Sequence, residues 1–262
     1  AAHRHPHLAV LSIFLFAGTR SRFTCRALLA QSHPLLVRTS SALASSTARG
    51  SLSSRINKSA LRFSSSASDT GSMKKRVLIP ISDGSEEIET TCIQDTLVRF
   101  GAEVVIASCK PRGDLICIMS RGIKILADTT IDEAVRSSEE WDLVVLPGGM
   151  PGAEHLRDCK PLIDLLKQRH LEKKMYAAIC ASPAVVLASH GLLPAAGATC
   201  YPLDAFRAVL TQPSDEQVVV QENVVTSQGP GTSLLFSLAL GERLYGKEKA
   251  DAVAKGMLVN RM

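Results

Sequence analysis

The sequence predicts an α/β protein: a doubly wound, mostly parallel sheet with helices on both faces. Three observations predict it. Short apolar runs recur at 77–81, 103–107, 141–146 and 175–179. Helical stretches separate most of them, the arrangement of βαβ units whose strands lie parallel. The runs are nearly continuous in apolar residues instead of alternating, as strands buried on both faces require.

Residues 77–81 (VLIPI) form a core strand, with Pro80 placed near its end. The turn Ser82-Asp83-Gly84-Ser85 leads into a helix over 86–100, closed by Gly101 as its C-terminal cap. A second strand covers 103–107. Segments 115–119 and 123–126, on either side of Ser120-Arg121-Gly122, read as a hairpin, and Thr130 caps a short helix through Arg136. The strand 141–146 (WDLVVL) runs into Pro147-Gly148-Gly149, a turn that exposes backbone N–H groups. A helix over 160–171 precedes the strand 175–179, which ends at Cys180 before a further helical pattern. Gly191 and Pro194 then break the chain. Residues 199–202 (TCYP) read as a strand end leading to a helix over 203–210. Segments 218–221 and 224–227, joined at Glu222-Asn223, read as a second hairpin. Residues 229–233 (GPGTS) cap a helix through Tyr245, and 249–257 form a last helix.

Open α/β sheets place their sites at the carboxyl ends of the strands. Four pieces converge there: Glu86-Glu87-Ile88-Glu89, Gly148-Gly149, Cys180 and Tyr201-Pro202. A thiol at a strand-to-helix turn sits near helix amides that favour a thiolate, in the manner of a nucleophile elbow. The alternative is an inert buried cysteine. Glu89 falls about one turn into the first helix; beside a thiolate its pKa rises, and in protonated form it donates a hydrogen bond to sulfur. The alternative is a solvent-exposed acid, as Glu86 and Glu87 are expected to be. The amides of Gly149 and Ala181 either serve an oxyanion or belong to plain turn geometry. Arg121, at a hairpin tip, and Arg99, near a helix end, either bind an anion or are solvated charges. Cys92, Cys109, Cys117 and Cys159 have no evident partners and read as structural.

The chain has 262 residues, 45% hydrophobic, with a net charge of +5. That charge is uneven. Residues 1–72 carry +8, and 73–262 carry −3. The acidic part lacks the basic footprint of a nucleic-acid binder. No apolar run reaches the roughly 18 residues of a membrane helix. Seven cysteines, with no CxxC pair and no zinc spacing, point to free thiols in a reducing compartment and to no metal. The extension 1–72, rich in Ser, Ala and Arg, has the composition of a mitochondrial or plastid transit peptide. Its apolar patch 8–17 is a rival secretory signal. Met73 is an alternative start, which would leave the protein cytoplasmic. In each case 73–262 is expected to form one domain.

Four motifs occur in order: Glu86-Glu87-Ile88-Glu89, Val145-Leu146-Pro147-Gly148-Gly149, Ala177-Ala178-Ile179-Cys180-Ala181 and Ser227-Gln228-Gly229-Pro230-Gly231-Thr232-Ser233. Together they resemble the ThiJ/PfpI superfamily, and specifically its Parkinsonism-associated, protein-deglycase branch (DJ-one), over about 75–259. The resemblance implies a flavodoxin-like sandwich of the class I glutamine amidotransferase type, working as a homodimer. It implies that Cys180 is the nucleophile and Glu89 its protonated partner, with the amides of Gly149 and Ala181 at the oxyanion site. The implied pocket takes in Gly148, Arg99, Arg121, Tyr201 and Pro230. Implied activities are cofactor-free glyoxalase chemistry on methylglyoxal and glyoxal, deglycation of early adducts, and oxidative-stress sensing or chaperoning through a Cys180 sulfinate. One departure stands out. Some members carry a histidine before the proline that is Pro202 here, and this chain has Tyr201. A Cys–His pair is therefore not expected, nor is peptidase activity.

Overall fold

A computed structural model describes residues 74–137 and 140–261. The extension 1–72, with the targeting signals read in it, lies outside them. The first half runs β1 (Arg76–Ile81), α1 (Glu87–Phe100), β2 (Glu103–Ser108), β3 (Ile116–Ile118), β4 (Lys124–Leu126), β5 (Thr129–Thr130), α2 (Ile131–Arg136) and β6 (Leu143–Leu146). Then come α3 (Gly152–Asp158), α4 (Lys160–Leu171), β7 (Tyr176–Ile179), α5 (Asp204–Arg207), β8 (Val218–Gln221), β9 (Val224–Ser227), α6 (Ser233–Tyr245) and α7 (Lys247–Gly256).

Seven strands form one sheet in the order β5-β2-β1-β6-β7-β9-β8. All its pairs are parallel except β8 with β9. β3 and β4 pair apart from it as the small antiparallel hairpin. This is the flavodoxin-like, doubly wound fold. Its register follows from the apolar runs: Val77 lies opposite Val104 on one side and Leu143 on the other. Every residue of β6 and β7 is buried. From β1 the chain moves outward to β2, and from β6 it moves the opposite way to β7. The strand order therefore reverses between β1 and β6, and in such sheets ligands bind in the crevice at that point.

Several local expectations change. α3 went unread because it is only seven residues long and follows directly on a Pro-Gly turn. Residues 199–202 are not the end of a strand; the nearby pairing is a single bridge from Ala198 to Pro213. The edge of β7 that such a strand would need is taken by β9, residue for residue from Tyr176 opposite Val224. The helix expected over 203–210 shrinks to α5. The helical pattern after Cys180 is a π-helical turn, Pro183–Leu187, followed by a 3-10 turn, Ala188–His190. Among the described residues, no helix is long and apolar enough to cross a membrane.

One buried cation ties the lower ends of the central strands together. The Arg169 guanidinium, 3% exposed, donates to the carbonyls of Trp141, Asp142 and Met175, just before β6 and β7 begin. Burial pulls its pKa down to about 10, so it remains a cation at neutral pH. Arg169→Met keeps the apolar stem but leaves three carbonyls without their donor. It is expected to cost about 2–3 kcal/mol, read as a drop of roughly 5–10 °C in Tm by calorimetry.

Candidate functional site

The site forms where the turns after β1, β6 and β7 meet. After β1, Ser85 closes a tight turn by donating its amide to the Ser82 carbonyl (3.1 Å) and accepting the Ser82 amide on Oγ (3.0 Å). The Glu86 carboxylate then caps α1, accepting from the Glu89 amide at 2.7 Å. The Glu86 amide donates to the Gly148 carbonyl at 3.0 Å, which fastens the start of α1 to the turn after β6.

This packing corrects the expectation that the first acids are solvated. Glu86, Glu87 and Glu89 are 6%, 3% and 0% exposed. Each has a use that offsets its burial. Glu86 caps the helix, and Glu87 accepts from the Ser120 hydroxyl and the Arg121 amide, both at 2.8 Å, pinning the β3–β4 hairpin tip over the site. Glu89 points inward. Its Oε2 accepts from the Gly148 amide at 2.6 Å. Its Oε1 is buried with no hydrogen-bond partner, and the carboxyl group interacts with the Cys180 thiol.

Cys180 follows β7 with φ at 65°, the left-handed region that non-glycine residues rarely adopt. Its amide donates to the Ser227 carbonyl (3.0 Å), and its carbonyl accepts from the Tyr201 amide (2.8 Å), so the strained conformation is held on both sides. The Ser182 hydroxyl donates to the Pro147 carbonyl at 2.6 Å and locks this elbow to the β6 turn. The amides of Gly149 and Ala181 both reach the Cys180 sulfur. Glycine is required beneath it. A Cβ on Gly148 would sit 2.6 Å from the Cys180 Cβ and 2.9 Å from the Ala181 nitrogen. Gly149, at φ +85°, would place one 2.4 Å from the Gly84 carbonyl oxygen.

Burial pushes the Glu89 carboxyl up to about 7, against the Gly148 amide and the Cys180 contact, which pull it down. The Cys180 thiol is also pushed up, first by burial and then by the Glu89 charge, while the Gly149 and Ala181 amides act the other way. Helical turns over 182–190 do begin just past the sulfur, as expected, but burial and the Glu89 charge oppose the thiolate there. Ionisation of the sulfur depends on where one proton sits. With Glu89 ionised, Cys180 stays a thiol. With the proton on Glu89, the repulsion disappears, the carboxyl can donate to the sulfur, and two amides face the sulfur anion. The two groups titrate as a pair.

Above the sulfur opens a cleft of about 320 Å³. Arg121, Ser120 and Glu86 line one side; Met150, Tyr201, Leu203, Phe206 and Pro230 give it apolar walls. Arg121, Tyr201 and Pro230 are thus where the sequence places them, and Gly148 lies beneath the sulfur. Arg99 is not part of the cleft. It sits exposed in the last turn of α1, paired with Asp95 at 2.7 Å. No histidine among the described residues lines the cleft: His155 contacts the Asp83 carbonyl, His170 the Tyr176 hydroxyl and His190 the Arg157 carbonyl. Ser120, Met150, Leu203 and Phe206 escape a sequence reading. Only Ser120 leaves a trace, as the neighbour of Arg121 at the hairpin tip.

The DJ-1/PfpI family profile matches residues 75–243. Protein DJ-1 homolog B of Arabidopsis thaliana is 45% identical over 186 residues, covering 70% of this chain and 41% of that protein. This chain therefore spans less than half the length of that relative. A Caenorhabditis elegans protein named glutathione-independent glyoxalase DJR-1.2 is 33% identical over 183 residues, 68% of this chain and 92% of its own. Among solved structures, oxidized Toxoplasma gondii DJ-1 superposes with a TM-score of 0.67 at 42% identity, covering 71% of this chain and all of the other. The matched span contains the β1 turn, both glycines of the β6 turn, the Cys180 elbow and the start of α6, and on that ground the chain belongs to the DJ-1/PfpI family.

Proposed function

We propose that this protein is a cofactor-free glyoxalase that converts small 2-oxoaldehydes such as methylglyoxal and glyoxal to 2-hydroxy acids. Related deglycase action would fall on early glycation adducts. The observation that carries the reading is the facing pair of Glu89 and Cys180 at the floor of the cleft, with the Gly149 and Ala181 amides aimed at the sulfur. The name of the nematode relative supports it. In this reading the Cys180 thiolate adds to the aldehyde carbon and Glu89 gives its proton to the new oxyanion, forming a hemithioacetal. Glu89 then removes the carbon-bound proton at the same centre and returns one to the neighbouring carbon. The product is a thioester of the 2-hydroxy acid. Water cleaves it, releasing the acid and restoring the thiol. With no histidine among the described residues of the cleft, each of these proton transfers falls to Glu89 or to water.

The test is lactate formation from methylglyoxal by the full chain in glutathione-free buffer. Lactate should accumulate well above the rate of a heat-unfolded sample; equal rates would sink the reading. A second reading is favoured by the same amides. Oxidation of Cys180 to a sulfinate would place its oxygens where Gly149, Ala181 and a protonated Glu89 can donate, as a redox sensor or regulatory interaction protein requires.

A further inference from the structure

We propose that Cys109 and Cys159 form a second redox site, a dithiol that a hydroperoxide converts to an intramolecular disulfide without help from Cys180. The sequence offers no hint of the pair, since fifty positions separate its members. The fold brings them together. Cys109 leaves the end of β2, its amide donating to the Ile81 carbonyl at 2.8 Å. Cys159 occupies the junction of α3 and α4, where it is the N-cap residue of the twelve-residue α4. There the two side chains come together on the wall of one cleft, close enough for each thiol to shift the acidity of the other.

Both residues are half-buried and line a cleft of about 580 Å³ that is separate from the one over Cys180. Asp83, Lys110, Asp132 and His155 share its walls, so a small polar oxidant can enter. Cys117 is nearby but fully buried, and it contacts the Ser108 hydroxyl at 3.6 Å. It is absent from the cleft lining.

The surroundings push the two thiols apart in acidity. The hydrogen bond from Cys109 and then the Leu162 amide hold Cys159 below the usual thiol value, against burial and Asp132. Cys109, which donates that bond and is the more enclosed, is raised well above it. Divergent partners of this kind identify the attacking and the resolving group. The Cys159 thiolate attacks one oxygen of hydrogen peroxide, the O–O bond breaks, and a sulfenic acid forms while the departing hydroxide takes up the proton released when the thiol ionised, giving water. The Cys109 sulfur then attacks the sulfenic sulfur. An S–S bond forms, and the Cys109 proton leaves with the hydroxyl as a second water. Two thiols give up two electrons and one peroxide takes them. An S–S bond of about 2.05 Å needs the sulfurs to close in from contact distance, and both residues lie in connections between elements, where the backbone can yield.

The experiment treats the full chain with near-stoichiometric hydrogen peroxide, blocks the remaining thiols with an alkylating agent, and maps peptides without reduction. The expected result is loss of the alkylated Cys109 and Cys159 peptides in favour of one cross-linked species that dithiothreitol separates. Cys180→Ala should form the same cross-link. Cys109→Ser should stop at a sulfenic acid on Cys159, trapped by dimedone. Full alkylation of both residues under conditions that oxidise Cys180 would overturn the proposal. So would a disulfide joining Cys109 to Cys117, or dimedone labelling that avoids Cys159 in Cys109→Ser.

Discussion

Cys180→Ala is expected to lower kcat/KM for methylglyoxal by at least about 10³-fold, which corresponds to roughly 4 kcal/mol of transition-state stabilisation. The size of the effect follows from how little else in the cleft can replace the sulfur. The Gly149 and Ala181 amides bind an anion only where the sulfur or an oxygen attached through it has been placed. Glu89 lies beneath the elbow and is fully buried, so it reaches a substrate only past the Cys180 side chain. The other cleft residues are apolar walls, the Ser120 hydroxyl, the Glu86 carboxylate that caps α1, and Arg121 at the rim. A cysteine at φ 65° costs on the order of 1–2 kcal/mol, and the alanine variant keeps that backbone. Its far-UV spectrum and elution volume should therefore match those of the unaltered chain, so that lost turnover reports chemistry and not folding. Turnover in Cys180→Ala within about tenfold of the unaltered chain would remove covalent catalysis from consideration and leave Glu89 as a simple base.

What could be read from the sequence divides along physical lines. β6 and β7 were legible because each is a parallel strand buried along its whole length, and β1 and β2 because their buried stretches form short, nearly continuous apolar runs. Gly101 was legible as a cap because its left-handed conformation costs glycine nothing. Cys180 could be placed because the strand ends there in a run of small residues. The environment of Glu89 could not be placed with the same certainty. Its burial depends on the Glu86 amide bonding to the Gly148 carbonyl, a contact between residues sixty-two positions apart. The same limit hid Glu87 beneath the β3–β4 tip and Cys109 against Cys159, since pairings across the fold leave no local pattern. Residues 199–202 misled for a related reason. They have strand character, but β9 competes for the same edge of β7 and supplies four matched residues to it.

Glu89→Gln separates the two uses of this carboxyl, as a donor to sulfur and as a carrier of protons. Glutamine retains the shape and a donor, so the Gly148 turn and the Cys180 elbow should stay in place, but it cannot give up and regain a proton. Turnover is expected to fall by about 10²–10³-fold, the usual range for loss of a general acid or base. The pH dependence gives the sharper signature. In the folded chain the Glu89 pKa is raised from 4.5 to about 7, chiefly by burial. Between those values the native state holds a proton that the unfolded chain has released. The contribution to stability is therefore complete below pH 4.5 and is lost as pH rises through 7. The shift amounts to about 3 kcal/mol. In the unaltered chain, Tm should decline between pH 5 and pH 8 by several degrees more than in Glu89→Gln, where this component is absent. The same ionisation should appear in kcat/KM as a limb falling above about pH 7, because a charged Glu89 returns Cys180 to the thiol and has no proton to donate. Glu89→Gln should lose that limb along with the turnover. Parallel Tm profiles for the two proteins would mean that Glu89 is ionised throughout this range, and Cys180 would then lack the proton-bearing partner on which its reactivity depends.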